Sequence, residues 1–251
     1  MRIDHLYRYP VKGLTAEALE EITLEEGQIL PWDRAFALAQ GDAPFDPKKP
    51  SWIRKSNFLC LAAHPRAALL RSAFDPHNGV LLIRFPDGSS VAENPLHPDG
   101  QARLAEALTR FMGSEARGTP RFIHAPGFNF IDDAAKVISL INLASIHDLE
   151  RSAGAERHHL RFRANIYFSG TPAWSEFDWL GRDIQIGGAR LRLTRRIVRC
   201  AATEVNHETA ERDAETVREL RQGFGHADMG IYGEVIEPGR IAVGDALELL
   251  P

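Results

Sequence analysis

Cys200 follows Arg199 directly, and further arginines lie just upstream in the same segment. The chain has only two cysteines, so a thiol placed beside so much positive charge is a candidate for chemistry. Guanidinium groups near a thiol favour the thiolate, the form that attacks an electrophile or binds a metal. The competing interpretation is structural, because free cysteine is often a small buried core residue. Cys60, in the apolar run NFLCLAAHP, is predicted to be core.

A second candidate is the segment LRFRANIYF, residues 160–168, in which apolar and polar residues alternate strictly. This alternation predicts a strand with one apolar face. The other face would carry Arg161, Arg163, Asn165 and Tyr167. That face is either solvated, as most strand arginines are, or an anion site, because guanidinium groups match phosphate geometry bidentately.

Two fragments near the N-terminus carry further charged candidates. In YPVKGLT, Lys12 precedes Gly13, so a lysine could reach an anion where the backbone approaches it closely. The alternative is a turn with a solvent-facing lysine. In LPWDRAF, Asp33 and Arg34 stand at the predicted start of a strand. The bland interpretation there is a local ion pair worth about 0–1 kcal/mol when exposed.

Length and composition set the class of protein. The 251 residues are 44% hydrophobic and 25% charged, which is ordinary for a globular chain with a sizeable core. The net charge of −4 gives no basic balance that would indicate a nucleic-acid partner. Two cysteines make no disulfide framework and fit a reducing compartment. Without a signal-type or membrane-spanning apolar run, we expect a cytoplasmic protein with no membrane partner.

Strand-like segments outnumber helical ones. Residues 33–39 and 80–85 are predicted strands, and the C-terminus from residue 230 is predicted to be a meander with turn residues at each join. Three helices are predicted, in QARLAEALTRFMG, SIHDLERSAG and AETVRELRQG. In the second, Ser145 and Asp148 have capping-box spacing. The sequence therefore predicts a mostly β fold with a few helices and a β-barrel-like body.

Several common chemistries have no motif here. The sequence contains no GxxxxGK[ST], GxGxxG, HExxH, GxSxG or CxxC pattern. The histidines are scattered without zinc-ligand spacing, and there is no group of four cysteines for an iron–sulfur cluster. Flavin, nicotinamide and iron–sulfur chemistry therefore has no sequence support within the chain.

The order of eight fragments resembles a MOSC-domain protein, MOSC being the C-terminal domain of molybdenum cofactor sulfurase. They are YPVKGL, DRAFAL, ISLINLASIHDL, RFRANIYFSG, FDWLGRDIQIGGARL, RCAATEVN, GIYGEV and GRIAVGDALELL. Relatives include the mitochondrial amidoxime-reducing component and bacterial N-hydroxylated-compound reductases. The resemblance covers nearly the whole chain and is weakest from residue 44 to 126. It implies a smaller N-terminal β-barrel domain over residues 1–127, packed on a β-barrel-like MOSC domain over residues 128–251.

The resemblance also implies a site for the molybdenum cofactor, molybdopterin. Cys200 matches the catalytic cysteine that supplies the protein ligand to molybdenum, and a soft thiolate suits such a centre. The cofactor-binding positions implied in the same way are Lys12, Arg34, Ser145, Arg163 and Asn165. Ser145 has the alternative role of a helix cap. The chain departs from the reductases at Gly13, where they commonly have serine, and at Ala164, where they have proline.

The function implied is an oxidoreductase that reduces N-hydroxylated or related N–O small-molecule substrates. No plant-type ferredoxin pattern follows in the sequence, so electrons would come from a separate protein of ferredoxin or cytochrome/flavin reductase type. Two alternatives stay open. One is a sulfur-carrier or sulfur-transfer protein that uses a persulfide on Cys200. The other is a non-catalytic molybdenum-cofactor-binding module.

Overall fold

The computed structural model describes residues 1–251 and contains fifteen strands and three α-helices. The α-helices are α1 (Pro98–Met112), α2 (Leu143–Ala153) and α3 (Thr216–Phe224). The strands are β1 (Arg2–Arg8), β2 (Glu17–Ala18), β3 (Glu21–Leu24), β4 (Phe36–Ala39), β5 (Arg71–Asp75), β6 (Val80–Arg84), β7 (Ser90–Glu93), β8 (Arg121–His124), β9 (Ile138–Asn142), β10 (Ile166–Ser169), β11 (Asp183–Ile186), β12 (Ala189–Val198), β13 (Asp228–Glu237), β14 (Gly239–Ala242) and β15 (Leu247–Leu249). The predicted mostly β fold with a few helices is confirmed.

The largest sheet has eight strands in the order β15-β11-β12-β13-β9-β10-β1-β2. All neighbours in it are antiparallel except β9 and β10, which are parallel. The first strand of the chain thus pairs with β10, with Ile3 opposite Phe168. Apolar residues from nearly every strand of this sheet form one contiguous buried core. β3 likewise pairs with β14, so strands from the start of the chain pair with strands from its second half.

A second core lies under the smaller sheets. The hairpins of β5, β6 and β7 and the pair β4–β8 contribute apolar residues to it. Helix α1 covers this core with Leu104, Leu108 and Met112, which lie on one face as their spacing predicts. The domain division at residues 127 and 128 stays a prediction, since β1 and β3 pair across it. No helix of the chain has both the length and the apolar composition needed to cross a membrane.

The three helices form where they were predicted, but the N-cap of α2 differs from the prediction. Helix α1 ends at Gly113, as expected, and α3 ends one residue past the predicted Gly223. Helix α2 begins earlier than predicted, because the Asn142 side chain accepts a hydrogen bond from Ala144 N and serves as its N-cap. Ser145 therefore lies inside the first turn and is not a cap. The predicted capping box is wrong.

The C-terminal strands exist, but they do not form a meander. β13 lies between β12 and β9, β14 pairs with β3, and β15 pairs with β11. Turn residues mark where strands end, whereas the partner of each strand is set by long-range packing. The local pattern could therefore place the turns without revealing the pairing.

The segment LRFRANIYF is not one strand. Residues 159–162 form a short 3-10 helix, Arg163 has a left-handed backbone with φ of 53°, and β10 begins only at Ile166. The predicted solvated or ligand-facing side is largely interior, since Asn165 and Tyr167 are both buried. Two buried faces produced the alternation, which mimics the pattern of a half-exposed strand.

A buried ion pair ties the start of the chain to the second core. Arg8 Nε donates to Glu17 Oε2 at 2.6 Å, and Arg8 Nη2 donates to Phe74 O at 2.9 Å. Glu17 also accepts the backbone N–H of Phe74. The side chains of Arg8 and Glu17 are only 9% and 13% exposed, so loss of one partner leaves a desolvated charge.

We therefore expect Glu17→Ala to lower the free energy of unfolding by about 3–5 kcal/mol, because Arg8 would stay buried without its carboxylate. Urea denaturation followed by circular dichroism measures this change. Glu106→Ala is the matched control, because its pair with Arg110 is mostly exposed and is worth at most about 1 kcal/mol. Equal losses in the two variants would contradict the argument.

Candidate functional site

A cleft of about 370 Å³, lined by residues from both the N-terminal and the C-terminal half of the chain, contains most of the predicted site residues. Its lining includes Lys12, Arg34, Arg163, Asn165 and Cys200. These residues come from segments up to 188 positions apart in the chain, so only the tertiary fold brings them together. The sequence-predicted set thus converges on one place, with the exception of Ser145.

Strand β12 delivers the thiol to the cleft through irregular pairing. Its first half alternates regularly, with Leu191 and Leu193 in the core. The register with β13 shifts between Leu193 and Arg195 and again between Arg196 and Val198. Such bulges re-aim side chains, and they are common beside functional sites. Cys200 follows in extended backbone, just before a 3-10 helix.

The cation that contacts the Cys200 thiol is a lysine. Lys55 Nζ donates to Cys200 Sγ at 3.0 Å. The guanidinium of Arg199 instead faces backbone carbonyls, donating to Met229 O and Phe162 O at 2.9 Å each. The cation next to the sulfur is therefore not the neighbouring Arg199 but Lys55, which is far away in the chain.

Arg190 and Arg192 leave the site altogether. Arg190 pairs with Glu237 and Arg192 with Asp183 on the outer face of the sheet. Arg195 and Arg196 do line the cleft. Their neighbours differ, because Arg195 pairs with Asp133, whereas Arg196 lies over the ring of Phe177 at 4.2 Å.

Asp132 joins two lysines at the wall of the cleft. Lys12 donates to Asp132 and to Phe130 O at 2.8 Å, and Lys55 donates to the other Asp132 oxygen at 3.2 Å. Lys12 is only 7% exposed, so the expectation of a solvent-facing turn lysine is wrong. Burial lowers the pKa of Lys12, with the Asp132 charge opposing the shift.

The pKa of Asp132 shows which influence on this carboxyl is decisive. Desolvation by the surrounding protein acts to raise that pKa, but the charges of Lys12 and Lys55 outweigh it and hold it at about 2. The carboxylate is consequently ionised at every physiological pH. It keeps both ammonium groups in place, one buried and one against the thiol.

Gly13 packs closely against the backbone of Leu59. Its backbone φ is +83°, and a Cβ there would lie 2.7 Å from Leu59 O. A left-handed backbone so close to another segment of the chain favours glycine. The sequence suggested a close approach to an anion, whereas the close approach seen is to the neighbouring backbone.

Arg34 and Arg163 form a second cationic pair around Tyr9. Their guanidinium carbons lie 4.2 and 4.4 Å from the centre of the Tyr9 ring. Arg34 donates to Asp33 Oδ2 at 2.6 Å and to Arg163 O at 2.8 Å, and Arg163 donates to Leu14 O at 2.7 Å. Asp33 is 1% exposed, so this is not the exposed ion pair expected from the sequence.

Both arginines also show strain and desolvation. Arg34 and Arg163 have left-handed backbones, with φ of 46° and 53°, a conformation that non-glycine residues adopt at a cost and that clusters at functional sites. Burial lowers the pKa of Arg163 to about 10, with the Tyr9 and Arg34 neighbours as lesser influences. An anion that entered the cleft would relieve this unfavourable desolvated charge.

The Asn165 side chain forms hydrogen bonds with two strands, β9 and β1. Its Oδ1 accepts hydrogen bonds from Ser139 N and Oγ, at 3.2 and 2.8 Å, and its Nδ2 donates to Tyr7 O at 3.2 Å. The residue lines the cleft, but its carbonyl oxygen and one amide hydrogen are already used. Its first role is therefore to tie β9 and β1 to the start of β10, which lies between them.

The prediction that Ser145 binds the cofactor is corrected by the structure, because Ser145 lies outside the cleft. Its hydroxyl donates to Glu176 Oε1 at 2.8 Å and accepts from Trp174 N at 2.8 Å. Both hydrogen-bonding roles of this fully buried side chain are used by the protein. Ser145 and Asn142 instead hold the buried carboxyl of Glu176.

Charge distinguishes the cleft from the rest of the molecule. Eight lysine or arginine side chains and two aspartates line it, although the whole chain carries a net charge of −4. Groups of three or more histidine, cysteine or acidic side chains that could hold a bare metal ion are absent. The cleft therefore suits an anion, and any metal there would have to bring most of its own ligands.

Family comparison agrees with this arrangement. The MOSC domain model matches residues 112–248, and the model of the MOSC N-terminal beta barrel domain matches residues 1–120. The chain belongs to the MOSC family, whose members bind the molybdenum cofactor and are often enzymes associated with it.

Solved structures similar to this chain include three MOSC proteins. The YuaD protein of Bacillus subtilis is 15% identical, with a TM-score of 0.46, over 99% of this chain and 94% of its own. YiiM of Geobacillus stearothermophilus is 21% identical, with a TM-score of 0.36. YiiM of Escherichia coli is 18% identical, with a TM-score of 0.33. Each YiiM match covers 45% of this chain and 54% of the other.

Replacing one lysine should move the titration of Asp132. In the parent, this carboxyl is expected to titrate near pH 2, below the value of about 3.9 for an unfolded aspartate. The pairing thus stabilises the fold above about pH 4 and loses its effect as pH falls through 2. In Lys55→Met the pKa of Asp132 should rise, because one of two stabilising charges is gone.

Carboxyl-carbon NMR of Asp132 across pH 1.5–6 measures this. Lys48→Met is the control, since Lys48 is an exposed lysine that pairs with no carboxylate near the cleft. An unchanged Asp132 titration in Lys55→Met would show that Lys55 has no electrostatic hold on the carboxylate.

Proposed function

We propose that this protein is a molybdenum-cofactor-dependent oxidoreductase that reduces N-hydroxylated or related N–O small molecules, with electrons from a separate electron-transfer protein. The observation that carries the proposal is the convergence of one accessible thiol with a concentration of cationic side chains in a single cleft. Membership of the MOSC family supports the choice of cofactor.

The donor set fits this cofactor better than a bare metal ion. Cys200 offers one partly exposed sulfur, the other cysteine of the cleft lining, Cys60, is buried, and none of the histidines lines the cleft. One thiolate would suit a metal that already carries a dithiolene, because soft sulfur ligands suit that centre. Lys12, Arg34 and Arg163 supply the positive charge that a terminal phosphate requires, and Arg163 offers a planar guanidinium for bidentate contact.

When bound, the cofactor supplies two-electron chemistry in which molybdenum passes between its +4 and +6 states. The chain's own residues bind and orient it. Lys55 donates a hydrogen bond to Cys200 Sγ, which stabilises the negative charge that a thiolate ligand carries. Asp132 holds Lys55 against the sulfur. The half-buried position of Cys200 leaves one side of the thiol open to the cleft.

The proposed reaction balances as a reductive dehydroxylation. An N-hydroxylated substrate takes up two electrons and two protons, the N–O bond breaks, and the amine or amidine and one water leave. The electrons come from a protein donor, because the sequence offers no flavin, nicotinamide or iron–sulfur motif of its own. The protons come from solvent, which reaches the cleft mouth at the exposed Arg196.

Cys200→Ser is expected to abolish turnover while leaving the fold intact, because a hydroxyl is a hard, poor replacement for a thiolate ligand. Activity is measured on cofactor-loaded protein with reduced viologen as the electron source and an N-hydroxylated benzamidine as substrate. Cys60→Ser is the matched control. Cys60 also lines the cleft, but it is only 7% exposed and burial raises the pKa of its thiol, so its replacement should cost a little stability and little activity.

The turnover assay, together with measurements of bound molybdenum and of labile sulfur, distinguishes the enzyme from the two alternative functions. NADH or NADPH alone should give no turnover, whereas reduced viologen should. Molybdenum bound in stoichiometric amount without turnover under any donor would favour the cofactor-binding module. Protein with no molybdenum but a labile sulfur on Cys200 would favour the sulfur carrier. Equal turnover by Cys200→Ser and the parent would refute the proposed enzyme.

Cofactor occupancy should depend on the cationic side chains. Arg163→Lys keeps the charge but loses the planar guanidinium, so lower occupancy is expected. A Lys12→Ala, Arg163→Ala double variant should be nearly empty. Molybdenum content by elemental analysis and pterin content by fluorescence provide the readouts. The control is a Lys48→Ala, Arg218→Ala double variant, which removes two exposed charges away from the cleft; full occupancy in both double variants would contradict the assignment.

A further inference from the structure

A second cavity, of about 240 Å³, lies beside the cleft. Its walls come from both parts of the chain, with Leu14 and Ala68 on one side and Leu160 and Val205 on the other. It shares part of its wall with the cleft, including Arg161 and Arg163. Neither the thiol nor Asp132 lines it, and of the side chains that the proposed function uses, Arg163 alone lies in its wall.

The interior of this cavity is apolar. Leu14, Ala68 and Val205 are each at most 4% exposed and face it together with Leu61 and Leu160. A small apolar cavity between two parts of a chain is a usual place for a small-molecule ligand. The volume is below the roughly 300–1,000 Å³ of sites for drug-sized molecules, so the ligand would be short.

Two nitrogen atoms at the polar end have no partner in the protein. Arg161 Nε and His207 Nδ1 are both buried and make no hydrogen bond, although both residues line the cavity. The rest of the Arg161 guanidinium is engaged, donating to Asp213 Oδ1 at 2.6 Å and to Glu204 O at 3.2 Å. The residue is 7% exposed. A buried guanidinium N–H is costly to leave unpaired, so Arg161 Nε points to an acceptor group on a ligand. Burial lowers the pKa of His207 and its Nε2 faces Glu208, so the proton of the neutral ring lies on Nε2 and Nδ1 is an acceptor.

Charge selects the kind of acceptor. Three arginines line the cavity, Arg71, Arg161 and Arg163, against a single carboxylate, Glu208. Glu208 lies 3.7 Å from His207 Nε2, on the side of the ring away from the unpaired Nδ1. The excess of positive charge favours an anionic end group over a neutral or cationic one.

We propose that this cavity binds a short monocarboxylate with an apolar body, its carboxylate accepting a hydrogen bond from Arg161 Nε. The apolar chain lies along Leu14, Ala68 and Val205. The site is independent of the proposed oxidoreductase function, because it needs neither Cys200 nor a bound cofactor. Since Arg161 and Arg163 also line the cleft, such a ligand would be a neighbour of whatever the cleft holds.

Octanoate is the probe, with octanol and octylamine to test the end group. Binding to the full chain is measured by isothermal titration calorimetry and by chemical-shift changes of the Ala68 and Val205 methyl groups. We expect octanoate to bind more tightly than octanol by about tenfold, the difference that one charge-assisted hydrogen bond provides. Octylamine should not bind. Failure of octanoate to bind the parent overturns the proposal.

Two variants fill the cavity without touching the cleft. Ala68→Leu and Ala16→Leu both place a larger side chain in its lining, and neither residue lines the cleft. Each should weaken octanoate by about tenfold or more. Ala92→Leu is the matched control on an exposed strand position, and it should bind as the parent does. Undiminished binding in both filled variants would place octanoate elsewhere and overturn the proposal.

Two further variants test the polar end. Arg161→Lys keeps the charge beside Asp213 but removes Nε, so it should reduce the preference for octanoate over octanol while leaving octanol affinity unchanged. His207→Ala is its control, because it removes no donor to the carboxylate, and it should keep that preference. Cys200→Ser tests independence from the cleft, since it should bind octanoate normally even where turnover is lost. A folded Arg161→Lys, checked by its thermal transition, that retains the full preference would overturn the assigned contacts.

Discussion

The cleft depends on one carboxylate placed among many cations. Asp132 accepts hydrogen bonds from Lys12, which is buried, and from Lys55, which contacts the Cys200 thiol. Without this negative charge, two ammonium groups would face each other and the nearby arginines across a small space, and the repulsion would open the wall. The negative charge of Asp132 thus offsets the repulsion between the cations and allows them to lie close together in the cleft.

The rest of the architecture serves to bring remote segments to this point. The bulged end of β12 carries Cys200, the turn after β1 carries Lys12, and the segment before β9 carries Asp132. The left-handed backbones of Arg34 and Arg163 direct two more cations to the same space. Regular strands would have sent these side chains alternately to core and solvent, so the site is built from the places where regular pairing breaks down.

The sequence could predict the fold class and part of the site, for identifiable reasons. Cys200 stood out because cysteine is rare in this chain, and local patterns made Lys12, Arg34 and Arg163 charged candidates. Their assignment as cofactor-binding residues came from the resemblance to a family. Lys55 and Asp132 gave no local signal, because their importance lies in a contact between segments 77 residues apart. The strict alternation in residues 160–168 misled because both of its faces are buried, and periodicity cannot distinguish a buried polar face from a solvated one.

The pairing of β1 with β10 has a consequence for how the chain is made. Ile3 lies opposite Phe168 in the finished sheet, and β2 pairs only with the end of β1, at Tyr7 and Arg8. The edge of β1 that meets β10 therefore has no partner until more than 160 further residues have been synthesised. At about 5–20 residues per second, that wait is roughly 8–30 s. Through that time β1 presents an unpaired backbone edge together with the apolar side chains of Ile3 and Leu6, and such strands associate with other chains. The charged residues on either side of Ile3, Arg2 and Asp4, discourage such association while the chain is being synthesised.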